Sequence, residues 1–265
     1  MHGRRVLSVL ILLPVFLLVV LYGGEAAFAL LMTGVAAISL WEFIRLLDRA
    51  PGVWAGIALC GAVGLLGATY GGGIEWFGLG VVVLLLVQLS LAVGQAGEME
   101  VKLRRAALSF LAVLYIAGPL SIAVALRGMP GGERHILLVC GIVWIGDTAA
   151  LYTGLGLGRH RLAPQVSPKK SIEGSIGGLL ASMGAAWILS AVLGVPLALL
   201  TSLLLGAVIG AAGQMGDLTE SMIKRAFHVK DTGHLIPGHG GMLDRIDSLL
   251  FAFPIFYLWV LLGWI

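Results

Sequence analysis

Charge is scarce in this chain: only 12% of its 265 residues are Asp, Glu, Lys or Arg. A soluble domain carries about 25%, so a water-facing surface around the whole molecule is excluded. Cysteine is scarcer still, with Cys60 and Cys140 alone, both inside apolar stretches and without ligand spacing. That excludes a disulfide framework and a thiolate metal site. No CxxC, HExxH or Walker-type lysine loop occurs, which leaves zinc hydrolase and P-loop chemistry without support. The small formal net charge of +3 needs no nucleic acid to explain it, because membrane proteins keep an excess of Lys and Arg on cytoplasmic loops.

What the chain has instead is apolar sequence, 59% of the total. It is arranged in repeated runs of roughly 17 to 22 residues, long enough as helices to cross a bilayer. Helix is the expected form, since unpaired backbone is not tolerated in lipid. Breaks at Gly, Pro and charge predict spans near 5–22, 26–46, 53–70, 75–94, 106–126, 136–155, 175–193, 197–215 and 248–264. The expected fold is therefore an all-α, polytopic integral membrane protein of about nine transmembrane helices. Arg4 and Arg5 before the run from Val6 to Tyr22 could open a secretory signal, but the run is long for one, and a retained first span is expected. A turn at Gly194-Val195-Pro196 must separate the seventh and eighth runs.

Sorting the basic residues into alternating loops tests the orientation. With the N-terminus cytoplasmic, every Lys and Arg except Arg127 and Arg134 falls on the inner side. Two inner stretches, 156–174 and 215–247, are longer and more polar than the other connections, and function is expected there. Residues 1–100 then read as N-terminal transmembrane helices, and 101–265 as the catalytic region that carries both loops.

The segment Ser221 to Asp247 concentrates carboxylates, basic residues, histidines and glycines, a composition suited to phosphate and metal. Asp217, Glu220, Ser221 and Lys224 are spaced to share one helical face, as are Asp244 and Asp247. Aspartates converging from two helices would supply hard oxygen ligands for Mg²⁺, which also binds substrate phosphates. Gly233, Pro237, Gly238, Gly240 and Gly241 between them would let backbone N–H groups approach phosphate oxygens. Asp147 interrupts a span, and an intramembrane carboxylate is costly enough to favour a functional role. Glu42 also interrupts a span, but it precedes Arg45 by three residues and could pair with that arginine at the interface.

The same segment resembles the phosphatidate cytidylyltransferases, whose motif runs SxxKR, four residues, KD, and later HGG, a hydrophobic residue, one more and DRxD. It is matched at Ser221, Lys224, Arg225, Lys230, Asp231, His239, Gly240, Gly241, Met242, Asp244, Arg245 and Asp247. The lead-in GDLTES, Gly216 to Ser221, and the stretch SPKKSIEG, Ser167 to Gly174, are similar to family patterns as well. DTAALYTG, Asp147 to Gly154, departs from its pattern, with Leu151 where the family has tyrosine and Tyr152 following. No role is carried to that tyrosine.

The resemblance implies transfer of the cytidylyl group of CTP to phosphatidic acid, giving CDP-diacylglycerol and pyrophosphate. Catalytic roles are expected of Asp217, Lys224, Arg225, Asp244, Arg245 and Asp247. Substrate contacts are expected of Ser167, Lys169, Lys170, Glu173, Ser221, Lys230, His239, Gly240 and Gly241. Mg²⁺ would be held principally by Asp217 and Asp244, with Asp247 and Asp147 completing a second or outer shell. The implied setting is the inner membrane, with lipid as neighbour, a cytoplasm-facing site and a homodimer. A CTP-dependent polyprenol kinase would release CDP instead of pyrophosphate. An ion-coupled transporter would move solute without nucleotide turnover.

Overall fold

Backbone polar groups in lipid must be satisfied within their own segment, and the apolar runs meet that demand as helices. The computed structural model describes residues 2–47, 52–233 and 240–265, with side chains from Leu12 onward. Among the described residues there are nine helices: α1 (His2–Tyr22), α2 (Gly24–Leu47), α3 (Val53–Gly72), α4 (Ile74–Gly94), α5 (Met99–Arg127), α6 (Gly132–Leu157), α7 (Ile172–Leu193), α8 (Leu199–Ala226) and α9 (Leu243–Leu261). Seven of them, α2 to α8, are long and apolar enough to cross a membrane. The apolar part of α1 within the searched residues is shorter, Leu12–Tyr22, and α9 carries Asp244, Arg245 and Asp247 in its first five positions. Large apolar side chains such as Leu86, Leu180, Val192 and Leu200 lie on the outside, as expected where the solvent is lipid.

One feature departs from the all-helical expectation. The 156–174 loop folds into a short antiparallel hairpin, β1 (Arg161–Ala163) with β2 (Ser167–Ser171), in which Arg161 faces Ser171 and Ala163 faces Ser167. The second polar stretch, 215–247, is helical over its first part because α8 continues to Ala226. The turn expected at Gly194 is present. That residue takes φ 67° and ends α7, and the N–H of Val195 returns to the carbonyl of Ser190 at 2.9 Å, the left-handed ending that glycine allows most readily.

The helices gather into two compact units. The first holds α1 to α5 together with the described part of Asp231–Arg245. Its core is formed by Phe28, Leu40 and Phe43 of α2, Leu65 and Leu66 of α3, and Ile116 and Leu120 of α5. The boundary read at residue 100 falls at the start of α5, a helix that packs on α2, α3 and α4.

The second unit holds α6, the hairpin, α7, α8 and Ile246–Ile265. Small residues set its packing, since without a hydrophobic drive between helices in lipid, close backbone approach supplies the cohesion. Gly146, Ala150 and Gly154 of α6 meet Gly174, Gly178 and Ser182 of α7, and Ser182 also donates to the carbonyl of Ile142 at 3.3 Å. Gly206 and Gly210 of α8 lie against Ser182, and Gly216 lies against the backbone of Asp247 and Ser248. Two of these tight approaches adjoin a carboxylate: Asp147 follows Gly146, and Asp217 follows Gly216.

Candidate active site

Polar residues of the second unit converge from four elements. Asp147 stands on α6, Lys170 on β2, Asp217 on α8 and Asp247 on α9. Lys170 Nζ lies 2.5 Å from Asp217 Oδ2, and Ser221 Oγ reaches the other oxygen, Oδ1, at 3.4 Å. Asp147, Asp217 and Asp247 are near enough to act on one another electrostatically, and Lys170 also acts on Asp147. Ser248 is close enough to act on the Asp147 carboxyl, and its N–H donates to Asp247 Oδ1 at 2.7 Å. With one ammonium among three carboxyl groups, the group offers a surplus of oxygen donors.

One turn along α8, Lys224 Nζ donates to Glu220 Oε2 at 2.5 Å, and both side chains are largely buried. The Asp247 carboxyl meets that of Glu220 as well. Deeper in the unit, Gln214 Nε2 donates to the carbonyl of Ser175 at 2.9 Å, and its Oε1 takes the Ser175 hydroxyl. Ser175, Gln214 and Ser248 are not among the motif residues, and Glu220 enters the sequence reading only as part of the α8 face that carries Asp217. Helical spacing was the available signal, since Gln214 and Glu220 each stand three residues from Asp217.

The hairpin is held in place from both ends. Glu173 accepts the N–H groups of Arg159 at 3.0 Å and His160 at 3.2 Å, and pairs with His160 Nδ1 at 2.5 Å. The Ser171 hydroxyl caps α7 by accepting from Gly174 N at 3.1 Å, a favoured helix start. Arg225 Nε donates to the carbonyl of Val166 in the turn at 3.3 Å. Glu173 therefore spends its carboxylate on the loop that presents Ser167, Lys169 and Lys170. Lys169 is exposed, as are Lys230 and Arg245.

The described motif residues from Asp231 to Arg245 lie in the first unit. Asp244 Oδ2 accepts from Gly241 N at 2.8 Å, Thr232 N at 3.1 Å and Thr232 Oγ1 at 2.9 Å. Gly240 takes φ 81°, and a side chain there would also crowd the Asp244 carboxylate. Glu42 of α2 joins this group through Leu243 N, which donates to its Oε2 at 3.1 Å. Its carboxylate makes no pair with Arg45 among the described residues. Glu42, Arg45, Asp231, Thr232 and Gly233 share the wall of a cavity of about 680 Å³ with Trp41 and three aliphatic side chains.

Asp217 and Asp244, expected as joint ligands, thus belong to different units, and Asp217 keeps company with Asp147 and Asp247. His239 lies outside the described residues. Among the described residues no three His, Cys, Asp or Glu side chains are placed to hold one ion by themselves.

A family model described as "Cytidylyltransferase family" matches residues 3–262. A phosphatidate cytidylyltransferase of Pseudomonas aeruginosa is 38% identical over 281 aligned positions, spanning 100% of this chain and 99% of its own length. Those of Bacillus subtilis and Staphylococcus haemolyticus are 31% and 32% identical, each spanning 96% of its own length and 96% and 95% of this chain. The N-terminal helices, which carry no recognisable motif, are included in the match as fully as the motif-bearing half.

Proposed function

Because the chain belongs to the cytidylyltransferase family, among the phosphatidate cytidylyltransferases, we propose that it transfers the cytidylyl group of CTP to phosphatidic acid within a multi-pass membrane protein. A phosphate oxygen of the lipid forms a bond to the α-phosphorus of CTP while the bond from that phosphorus to the bridging oxygen breaks. CDP-diacylglycerol forms and pyrophosphate leaves. An ionised phosphomonoester is already a nucleophile, so no protein nucleophile is needed. The task is to bring two polyanions together and stabilise the departing charge.

The observation that carries the site assignment is the Lys170–Asp217 pair among Asp147, Asp247 and Ser248. Lys170 and Lys169 are presented by a hairpin that Glu173 and Arg225 hold. They are assigned to the triphosphate, with Lys224, Arg225, Lys230 and Arg245 serving the remaining phosphate charge. Ser167, Ser221, His239, Gly240 and Gly241 are assigned to the same substrates.

The donor set fits Mg²⁺. Hard carboxylate oxygens exceed the single ammonium, and this ion usually takes one or two carboxylates and fills its sphere with water and substrate oxygens, so three assembled ligands are not required. Asp217, with Asp147 and Asp247, would hold it in the second unit; Asp244, in the first unit, is assigned to metal on the family resemblance alone. When bound, the ion would neutralise triphosphate charge and favour loss of pyrophosphate.

The proposed topology has all nine helices crossing the inner membrane with the N-terminus and both polar loops cytoplasmic, which the distribution of Lys and Arg supports. Such a site meets cytosolic CTP and a lipid that never leaves the bilayer. A homodimer rests on the family resemblance. Purified protein incubated with labelled CTP, Mg²⁺ and phosphatidic acid should yield a CDP-lipid and pyrophosphate. Absence of both from a folded, lipid-supplied preparation would overturn the reading.

A further inference from the structure

Glu42 belongs to α2, in the half of the chain without motifs, yet it touches the motif segment from 201 residues away. Its neighbours along the helix, Leu40 and Phe43, pack as core, and Glu42 itself is only 7% exposed. Oε2 takes the N–H of Leu243, the first residue of α9, and lies 3.5 Å from Thr232 Oγ1. That hydroxyl sits closer to Asp244, at 2.9 Å. A chain of contacts therefore runs from Glu42 through Thr232 to Asp244, and a second runs from Glu42 to the start of the helix on which Asp244 is the second residue.

The surroundings are cut to fit this carboxylate. A side chain on Gly241 would overlap Oε2, and one on Gly233 would overlap Oε1. Oε1 is buried and has no hydrogen-bond partner among the described residues. A carboxylate held this way is costly, and an apolar residue would pack α2 at lower cost. What an apolar residue cannot supply is an acceptor oxygen for the N-terminus of α9, where the first N–H groups have no partner within the helix.

We propose that Glu42 is a positioning residue for cytidylyl transfer, clasping the backbone at Thr232–Gly233 and Gly241–Leu243 so that Asp244 is held in one place. The inference rests on the cytidylyl-transfer reading. Glu42 touches no substrate in this role; it acts through Leu243 and Thr232.

The test compares wild type with Glu42→Leu, Glu42→Gln and Thr232→Val in detergent with lipid, measuring kcat, KM for CTP and amide hydrogen exchange at Gly241 and Leu243. Misplacement of a catalytic group by an ångström costs up to about 10²-fold. Glu42→Leu should therefore lose about ten- to a hundredfold in kcat, keep KM within about twofold, and exchange faster at both amides. Glu42→Gln keeps one acceptor oxygen and should recover most of the loss. Thr232→Val should show a smaller fall in kcat with faster exchange at Gly241. Wild-type kcat in Glu42→Leu, or a lowered kcat with unaltered exchange, would overturn the proposal. Should Glu42→Leu fail to fold, wild-type kcat in both other variants would overturn it equally. A wild-type preparation that makes no CDP-lipid would defeat the cytidylyl reading instead, since the exchange comparison does not depend on turnover.

Discussion

Lys170 and Asp217 form an ion pair of 2.5 Å across 47 residues of chain, with side chains 26% and 36% exposed. An ion pair this accessible contributes little to stability, about 0–1 kcal/mol. Its value lies in geometry: the pair brings a cation from the hairpin beside the carboxylate that leads the motif on α8. Lys170 would offer its ammonium to a phosphate oxygen, and Asp217 would offer its carboxylate to Mg²⁺, which would supply charge neutralisation there.

Lys170→Ala should therefore lower kcat/KM for CTP by about 10²-fold or more, the range seen when a preorganised donor to developing charge is removed, while thermal stability in detergent changes little. Lys170→Arg should recover only part, because a planar guanidinium cannot take the place of a compact ammonium against the same oxygen. Steady-state kinetics with labelled CTP, alongside a melting curve, separates the two effects. Full activity in Lys170→Ala would remove the lysine from the site.

Asp217→Asn and Asp247→Asn should each raise the Mg²⁺ concentration needed for half-maximal activity as well as lowering kcat. Outer partners of a metal site cost about 10- to 100-fold on mutation, and direct ligands should cost more. Titrating Mg²⁺ against each variant checks this. A lowered kcat with an unmoved Mg²⁺ midpoint would assign the carboxylates to substrate positioning rather than to the ion.

Gly216 lies against the backbone of Asp247 and Ser248, and a Cβ there would overlap the Asp247 carbonyl. Backbone cannot swing aside as a side chain can. Gly216→Ala is expected to cost about 1–3 kcal/mol by overpacking and to depress activity, since it pushes α9 away from Asp217. Gly184→Ala, where a Cβ meets nothing within 4 Å, serves as the control and should be neutral. Melting temperatures of the two variants in one detergent provide the comparison.

Orientation can be read by labelling. In a background with Cys60 and Cys140 replaced by alanine, a cysteine at Met129 should react with an impermeant maleimide from outside intact cells. One at Gln165, in the hairpin turn, should react only after permeabilisation. The reverse pattern would invert the topology.

Much of the architecture was legible in the sequence because a bilayer imposes a one-dimensional rule. Every span must be an apolar run of a certain length, and runs can be read without knowing their neighbours. Hence the runs fall on helices, seven of which are long and apolar enough to cross a membrane among the described residues, and the break at Gly194 falls on a helix end. The hairpin at Arg161–Ser171 was not foreseen, since its two short strands alternate too briefly to show a period. Glu42 was ambiguous for a related reason: Arg45, three residues away, offered a local partner, whereas the bond it makes is to Leu243.

By itself, then, the sequence determined that the chain is a multi-pass membrane protein of apolar helices interrupted by two polar stretches, and which carboxylates and cations those stretches offer. Tertiary structure decided how they are grouped: Lys170 with Asp217, Asp147 and Asp247 in one unit, and Asp244 with Thr232 and Glu42 in the other. The physical reason is that these partnerships depend on how closely helices approach, which small residues such as Gly146, Gly178 and Gly216 permit. Contacts between distant segments leave no periodic trace along the chain.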